Sequence, residues 1–413
     1  MIKNLLKKKA VLFTFLSSVA SGINYISLII YGRVFNVEQY ANIMAFQSFL
    51  SMVATLMIPI QIMVCKEVAK DKGCSSKASD AVSLALLLSV IESVLLLVCA
   101  VNIMHYLDLV SYLEYVLFVI LVFVNNIYNV IIGIVQGRQD FSFLGWLSIA
   151  LYSLRLAISV LLGYLGIGPM AVIIGFGLAE IVLIFVLIPK ISNSWTVSSV
   201  IGFKFEKARI CDYLFLLVLN GIVSLYMNGG DILLGKMYSF QKELGFYSVA
   251  SNLAKISIFL IASPISTVLL PKVVACGDNV KKQYNYFFIS EGITCVISML
   301  YSGLLLLLSK DIIAVLYGNN YSGAGEYIIP NVVFSITLGM FFVFYQFVIA
   351  KDMIKVFTFV SATIGLVLII LVVAIRVKLM TIPLIMSGAM FFSITVILFV
   401  EGIKKHNRFT ITN

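Results

Sequence analysis

Asp231 and Lys255 stand in GGDILLGKMYSFQKELGFYSVASNLAKI at 229–256, inside segments otherwise fit for hydrocarbon. Arg155 in LYSLRLAISV, Glu92 in LLSVIESVLLL and Glu180 in GLAEIVLIF share that setting. Buried acids and bases can neutralise one another, hold an ion of opposite sign, or relay a proton. An isolated charge in hydrocarbon costs about 3 to 15 kcal/mol depending on how it is measured, so such groups face a cavity or a partner. Arg155 lies about ten residues from either end of its helix, roughly 15 Å deep, too far for its side chain to reach water comfortably. It either faces a cavity or pairs with Glu92 or Glu180, and Lys255 faces the same choice. Glu92 and Glu180 either pair structurally or relay a proton or sodium ion. Asp231, roughly 9 Å inside the outer end of its helix, is expected to face a cavity and to couple to an ion. The Gly-Gly before it leaves the backbone open to close approach.

Other polar residues divide between site and scaffold. Arg33, at the outer end of the first helix, is either an interfacial anchor or a substrate contact. Ser17, Ser18, Ser21, Asn24 and Tyr25 crowd the first helix, and Asn220, Ser224, Tyr226 and Asn228 the seventh. They line a cleft or serve as helix-to-helix contacts, and their recurrence in both places favours a cleft. Glu291 is expected to reach back to the cytoplasm. Six cysteines form no CxxC pair, and His105 and His406 stand far apart, so neither a metal centre nor a catalytic site is expected. No Walker A motif or nucleotide fold is present, and no cofactor is expected.

The elements that must position these groups are helices. The chain of 413 residues is 61% hydrophobic and 12% charged, against about 25% charged in soluble domains. Mean hydropathy is +1.08. Apolar runs long enough to cross roughly 30 Å recur throughout, which predicts an all-α polytopic membrane protein. The basic, then apolar, N-terminus reads as a retained first span rather than a cleaved leader. Twelve helices are expected near 10–32, 40–64, 80–104, 113–136, 141–165, 168–189, 210–235, 244–271, 284–308, 324–350, 354–376 and 379–402. With the N-terminus inside, 21 Lys and Arg fall on the cytoplasmic side and 6 outside, which places both termini in the cytoplasm. The same bias accounts for most of the net charge of +10, so no nucleic-acid partner is needed.

Two halves repeat. YGRVFNVEQYANIMAFQSF leads to PIQIMVCKEVA, and LLGKMYSFQKELGFYSVAS leads to PISTVLLPKVVA. Gly32 and Gly235 lie 203 residues apart, Pro59 and Pro264 205 apart, and Lys66 and Lys272 206 apart. The reading is an N-terminal six-helix bundle at 1–189, a cytoplasmic linker at 190–209, and a C-terminal bundle with a short tail at 210–413. Parallel repeats of this kind suggest a transporter with its path at their interface. Pro59 and Pro264, read as mid-helix, are then either paired hinges or static kinks.

At this point the chain resembles the O-antigen flippase (Wzx-type) branch of the multidrug/oligosaccharidyl-lipid/polysaccharide (MOP) exporter superfamily. One similar stretch is 31–49, with its Gly-Arg, a short turn holding Glu and Tyr, and a polar-aromatic helix start. The other is Asp231, Gly235, Gly245, Tyr247, Ala250 and Lys255, followed by Pro264 and Pro271. Ala41 stands where Gly is common, and Phe35-Asn36 replaces Leu-Gly, which loosens the turn signal only. The resemblance implies two pseudo-symmetric bundles around a central cleft, in a bacterial cytoplasmic membrane. It implies an undecaprenyl-diphosphate-linked oligosaccharide moved outward, without enzymatic chemistry. Arg33, Arg155 and Lys255 would attract the diphosphate, with Asp231 holding or releasing one of them. Asn24, Tyr25 and Asn228 would meet sugars, and the polyprenyl tail would stay in membrane lipid. A proton or sodium gradient is a candidate drive, and a polysaccharide polymerase and chain-length regulator are candidate partners. The rivals are a MATE-like drug antiporter, for which a more acidic cleft is expected, and a polysaccharide polymerase or ligase. The largest outer loop, 309–327, lacks the His or Arg that such an enzyme would use.

Overall fold

The computed structural model describes residues 2–70, 76–109, 111–191, 207–238, 240–258, 262–277, 279–351 and 353–411. Regular structure among them is entirely helical. In the first half, α1 (Ile2–Val34), α2 (Val37–Ala54), α3 (Ile58–Lys70), α4 (Ser76–Val98) and α5 (Ala100–Leu107) precede α6 (Tyr112–Gly137), α7 (Phe141–Tyr164) and α8 (Met170–Ile191). In the second, α9 (Lys207–Met227), α10 (Gly230–Lys236), α11 (Gln241–Ser257) and α12 (Ser263–Val274) precede α13 (Val280–Leu316), α14 (Ile328–Ala350), α15 (Ile354–Ile375) and α16 (Ile382–Ile411). A 3₁₀ segment, Asn319–Tyr327, leads into α14.

Among the described residues, eight helices are long and apolar enough to cross a membrane, and three bent pairs raise the number to eleven. The pairs are α2 with α3, α4 with α5, and α9 with α10, bent by 46°, 74° and 71°. The twelfth expected span is α11 with α12, whose Ser248, Ser251, Asn252 and Lys255 dilute its apolar character; residues 259–261 between them lie outside the described ones. Outward-facing side chains are apolar, with Leu307 85% and Val98 77% exposed. The carboxylates of Glu92, Glu180, Asp231 and Glu291 and the amides of Asn125 and Asn126 turn inward. The chain is an all-α, multi-pass membrane protein.

Pro59 does not sit within a continuous helix, and the residues before Pro264, 259–261, lie outside the described ones. Pro59 is the second residue of α3 and Pro264 the second of α12, where a missing N–H costs little. Pro59 nevertheless ends what precedes it. Pro59 cannot donate to Thr55, four residues back, and its ring crowds that carbonyl. α2 stops at Ala54, and Thr55, Leu56 and Met57 take tighter bonds to Met52, Val53 and Ala54. α2 itself starts from a capping box in which Asn36 and Gln39 bond reciprocally. The seventh span breaks for another reason: Gly229 has φ +88°, a left-handed turn that a side chain would strain. The first span has no such break, so α1 runs on where its repeat partner divides.

The chain forms two compact units, Met1–Ser224 and Leu225–Asn413. The expected linker at 190–209 falls mostly on 192–206, outside the described residues. In the first unit, α6 lies on α3 through Gly133 and Gly137, a small-xxx-small face. A β-carbon on Gly133 would stand 2.8 Å from the Gln61 carbonyl oxygen, and one on Gly137 2.8 Å from that of Cys65. The second unit has an aromatic interior, with Phe341, Phe344, Phe347 and Phe357 buried.

Candidate functional site

The sharpest polar constellation belongs to the second unit. Tyr247, Ser251 and Lys255 follow one another every fourth residue on α11 and so share one face. The 71° bend at Asn228-Gly229 turns α10 so that Asp231 meets that face. One Asp231 oxygen accepts from Tyr247 Oη at 2.9 Å and Ser251 Oγ at 2.8 Å. The other accepts from Lys255 Nζ at 2.8 Å. Lys255 Nζ also lies 5.3 Å from the centre of the Phe334 ring. Asp231 and Lys255 are both buried, and each charge has its counterpart. Removing one partner of such a pair typically costs about 3–5 kcal/mol, because the other charge stays buried.

A second network lies in the first unit. Arg155 on α7 is paired with Glu180 on α8, which also accepts from Asn125 Nδ2 on α6 at 2.7 Å. Asn129 donates to Asn125 at 3.0 Å, extending the chain one turn along α6. The guanidinium carbon of Arg155 lies 4.4 Å from the Phe176 ring centre and 5.9 Å from that of Tyr152. Phe176 is one turn from Glu180, so α8 offers both an ionic and an aromatic partner. Asn126, the neighbour of Asn125, points to a different helix and donates to Glu92 on α4 at 2.6 Å. The network is not saturated: among the described residues, Glu180 Oε2, Arg155 Nε, Glu92 Oε1 and Asn126 Oδ1 have no hydrogen-bond partner. A site with spare donors and acceptors can hold a proton or a polar ligand, whereas both Asp231 oxygens already accept hydrogen bonds.

The remaining expected residues take up separate places. Asn24 and Tyr25 are half-buried on α1, while Arg33 and Asn228 are exposed at helix ends. Pro59 is buried; the side chain of Pro264 lies outside the described residues. Glu291 departs from expectation: it is buried, and neither carboxylate oxygen has a hydrogen-bond partner among the described residues. It lies on the face of α13 that packs against the helices, not on the side facing lipid, so it cannot reach back to the cytoplasm. Cys65, Cys99, Cys276 and Cys295 form no disulfide, and no cluster of three His, Cys, Asp or Glu occurs, among the described residues.

A profile described as "Polysaccharide biosynthesis protein" matches residues 39–326, well over half the chain. The chain belongs to the polysaccharide biosynthesis protein family. No curated relative matches it by sequence. Among solved structures, lipid II flippase MurJ in an inward closed conformation is similar, with a TM-score of 0.73 at 14% identity over 95% of this chain and 87% of that one. An inward-facing multidrug resistance MATE family transporter of the MOP superfamily gives 0.65 at 14% identity, covering 94% and 96%. A MOP superfamily transporter from Pyrococcus furiosus gives 0.60 at 14%, covering 95% and 94%. These likenesses show a shared fold, and the resemblance to the MOP superfamily read from the sequence holds.

Sequence reading found the charged residues and Tyr247 and missed the amides and the serine that hold them. Asn125, Asn126 and Asn129 carried a signal, three amides within five residues of a 26-residue apolar span. Ser251 carried a weaker one, its spacing of four from both Tyr247 and Lys255.

Proposed function

We propose that this polysaccharide biosynthesis family member is a flippase, carrying undecaprenyl-diphosphate-linked oligosaccharide repeat units from the cytoplasmic to the outer leaflet of a bacterial cytoplasmic membrane. The observation that carries the reading is the family match on a fold shared with MOP transporters, in a chain whose membrane helices hold buried bases. A diphosphate cannot cross hydrocarbon bare, and needs cations that can form charge-assisted hydrogen bonds. Arg155 and Lys255 supply them, each held in place by a carboxylate. In this reading the diphosphate replaces Glu180 or Asp231 as counter-ion, so the bases are never left alone in a dry interior. Arg33 meets the head group at the outer surface, Asn24, Tyr25 and Asn228 meet sugars, and the polyprenyl tail remains in lipid. Rocking of the six-helix halves at 1–189 and 210–413, with bending at Pro59 and Pro264, provides alternating access. Glu92, Glu180 and Asp231 are the acids available for coupling to a proton or sodium gradient. O-antigen or a similar surface polysaccharide is the proposed end product, with a polymerase and chain-length regulator acting after this step.

Complementation of a flippase-deficient strain tests the reading. Restored surface polysaccharide is expected from the unaltered chain, and loss of it from Arg155→Ala with Lys255→Ala in a protein that still inserts. Unimpaired export by that variant would overturn the role given to the bases. Resistance to cationic drugs without restored polysaccharide would favour a drug antiporter instead.

A further inference from the structure

One face of α13 carries Phe287, Glu291, Thr294, Ser298, Ser302 and Leu305, all buried and spaced three or four apart. Phe287 stacks on Phe347 of α14 with ring centres 4.4 Å apart and lies 5.8 Å from Phe344. One turn beyond Glu291, Thr294 and Ser298 lie against Gly339 of α14, where a β-carbon would stand 3.5 Å from Thr294 Cγ2 and 3.8 Å from Ser298 Oγ. Glu291 is therefore held against α14 between Phe344 and Gly339. It is 7% exposed, and neither of its oxygens, nor Thr294 Oγ1, nor Ser302 Oγ, has a hydrogen-bond partner among the described residues.

The charged groups on the elements packed against α13 are engaged elsewhere. Lys255 on α11 is tied to Asp231. Lys272 on α12 lies over Tyr286 at 5.7 Å, and Lys351, after α14, over Tyr284 at 4.4 Å and over Phe347 at 5.4 Å, at the phenylalanine end of the stripe and without a hydrogen bond to Glu291. Lys242 at the start of α11 lies over Phe246 at 6.0 Å. Glu243 beside it and Glu326 in the 3₁₀ segment are acids and cannot neutralise a carboxylate. Tyr247 donates to Asp231. Tyr301, on α13 itself, donates to the Leu253 carbonyl at 2.7 Å, and Tyr345 packs on Phe357. Lys281 and Lys282 are exposed at the start of α13, nine or more residues and about 13 Å from Glu291.

We propose that Glu291, with the hydroxyl stripe of Thr294, Ser298 and Ser302, is a proton-binding site inside the second unit, closed at its Lys282 end by Phe287, Phe344 and Phe347. An unpaired carboxylate in such surroundings is costly, whereas the neutral acid is tolerated, and a proton neutralises it without a shell of several oxygen ligands. The stripe runs about 16 Å along α13 from Glu291 to Ser302, away from the phenylalanines, and gives the proton a hydroxyl-lined route. The proton's use in driving transport rests on the flippase reading; the binding itself does not.

Infrared difference spectroscopy of the full chain in lipid, across a pH titration, reads the site directly. A protonated-carboxyl band that titrates, is lost in Glu291→Gln and is shifted but retained in Glu291→Asp is the expected result. Absence of a titrating band that depends on Glu291, or a band that responds to sodium at fixed pH, would overturn the proposal. If the band is present but the chain fails to complement a flippase-deficient strain, the flippase reading falls and the proton site stands. If complementation succeeds without the band, the reverse holds.

Discussion

A charged pair that is fully enclosed can be structural, functional or both, and Asp231 with Lys255 allows the two to be separated. Asp231→Asn leaves Lys255 buried without a counter-ion, and a loss of about 3–5 kcal/mol is expected in thermal unfolding of the purified protein. Asp231→Leu with Lys255→Met removes both charges at similar volume, and most of that loss should return. If the double variant is stable yet makes no surface polysaccharide, the charges serve transport; if it is stable and active, they serve packing alone. Asn126 gives a smaller effect. Asn126→Leu deprives Glu92 of the side-chain amide at 2.6 Å, and about 1–3 kcal/mol should be lost. A thermal midpoint unchanged by that substitution would mean that Glu92 finds another donor. The charged members of both networks were legible in the sequence because charge in hydrocarbon is expensive and so calls for explanation. Of their neutral partners only Tyr247 was picked out, since an amide or hydroxyl on a membrane helix is cheap enough to be ordinary.

At the scale of helices, the break before Pro59 was legible as a residue and misread as geometry. Pro59 and Pro264 were visible at matching spacing, but sequence alone does not distinguish a proline that bends one helix from a proline that, like Pro59, starts another. What decides it is the residue four positions earlier, Thr55, where α2 has already ended. The GxxxG face of α6, GIVQG, was not picked out from the sequence, and its partner could not have been, because sequence spacing does not say which helix approaches. Close approach makes a sharp prediction. Gly133→Ala forces α3 and α6 apart at the Gln61 carbonyl, where the gap would be 2.8 Å. A destabilisation of about 1–3 kcal/mol is expected, and more for Gly133→Leu. Pro59→Ala, by contrast, restores an N–H in the first turn of α3 and should change stability by less than about 1 kcal/mol. Equal melting temperatures for Gly133→Ala and the parent chain would show that α3 and α6 do not meet as closely as described.

For the whole molecule, direction matters as much as architecture. Most of the twelve expected spans were plain from hydropathy, while α11 with α12 is the one whose polar face weakens the signal, and that face binds Asp231. Orientation rests on the distribution of bases, 21 against 6. The functional proposals depend on it, because the proposed diphosphate-linked substrate would enter from the side on which Lys281 and Lys282 are expected to stand. On the same expectation Glu291 falls in the inner half of α13, with its hydroxyl stripe leading outward. A cysteine-free chain carrying Lys378→Cys should react with a membrane-impermeant maleimide in intact cells, because Lys378 lies between α15 and α16 on the predicted outer side. One carrying Lys281→Cys should react only after the cells are permeabilised. The opposite pattern would invert every span, bring the proposed proton route to the cytoplasm, and leave the flippase with its entrance facing the wrong compartment.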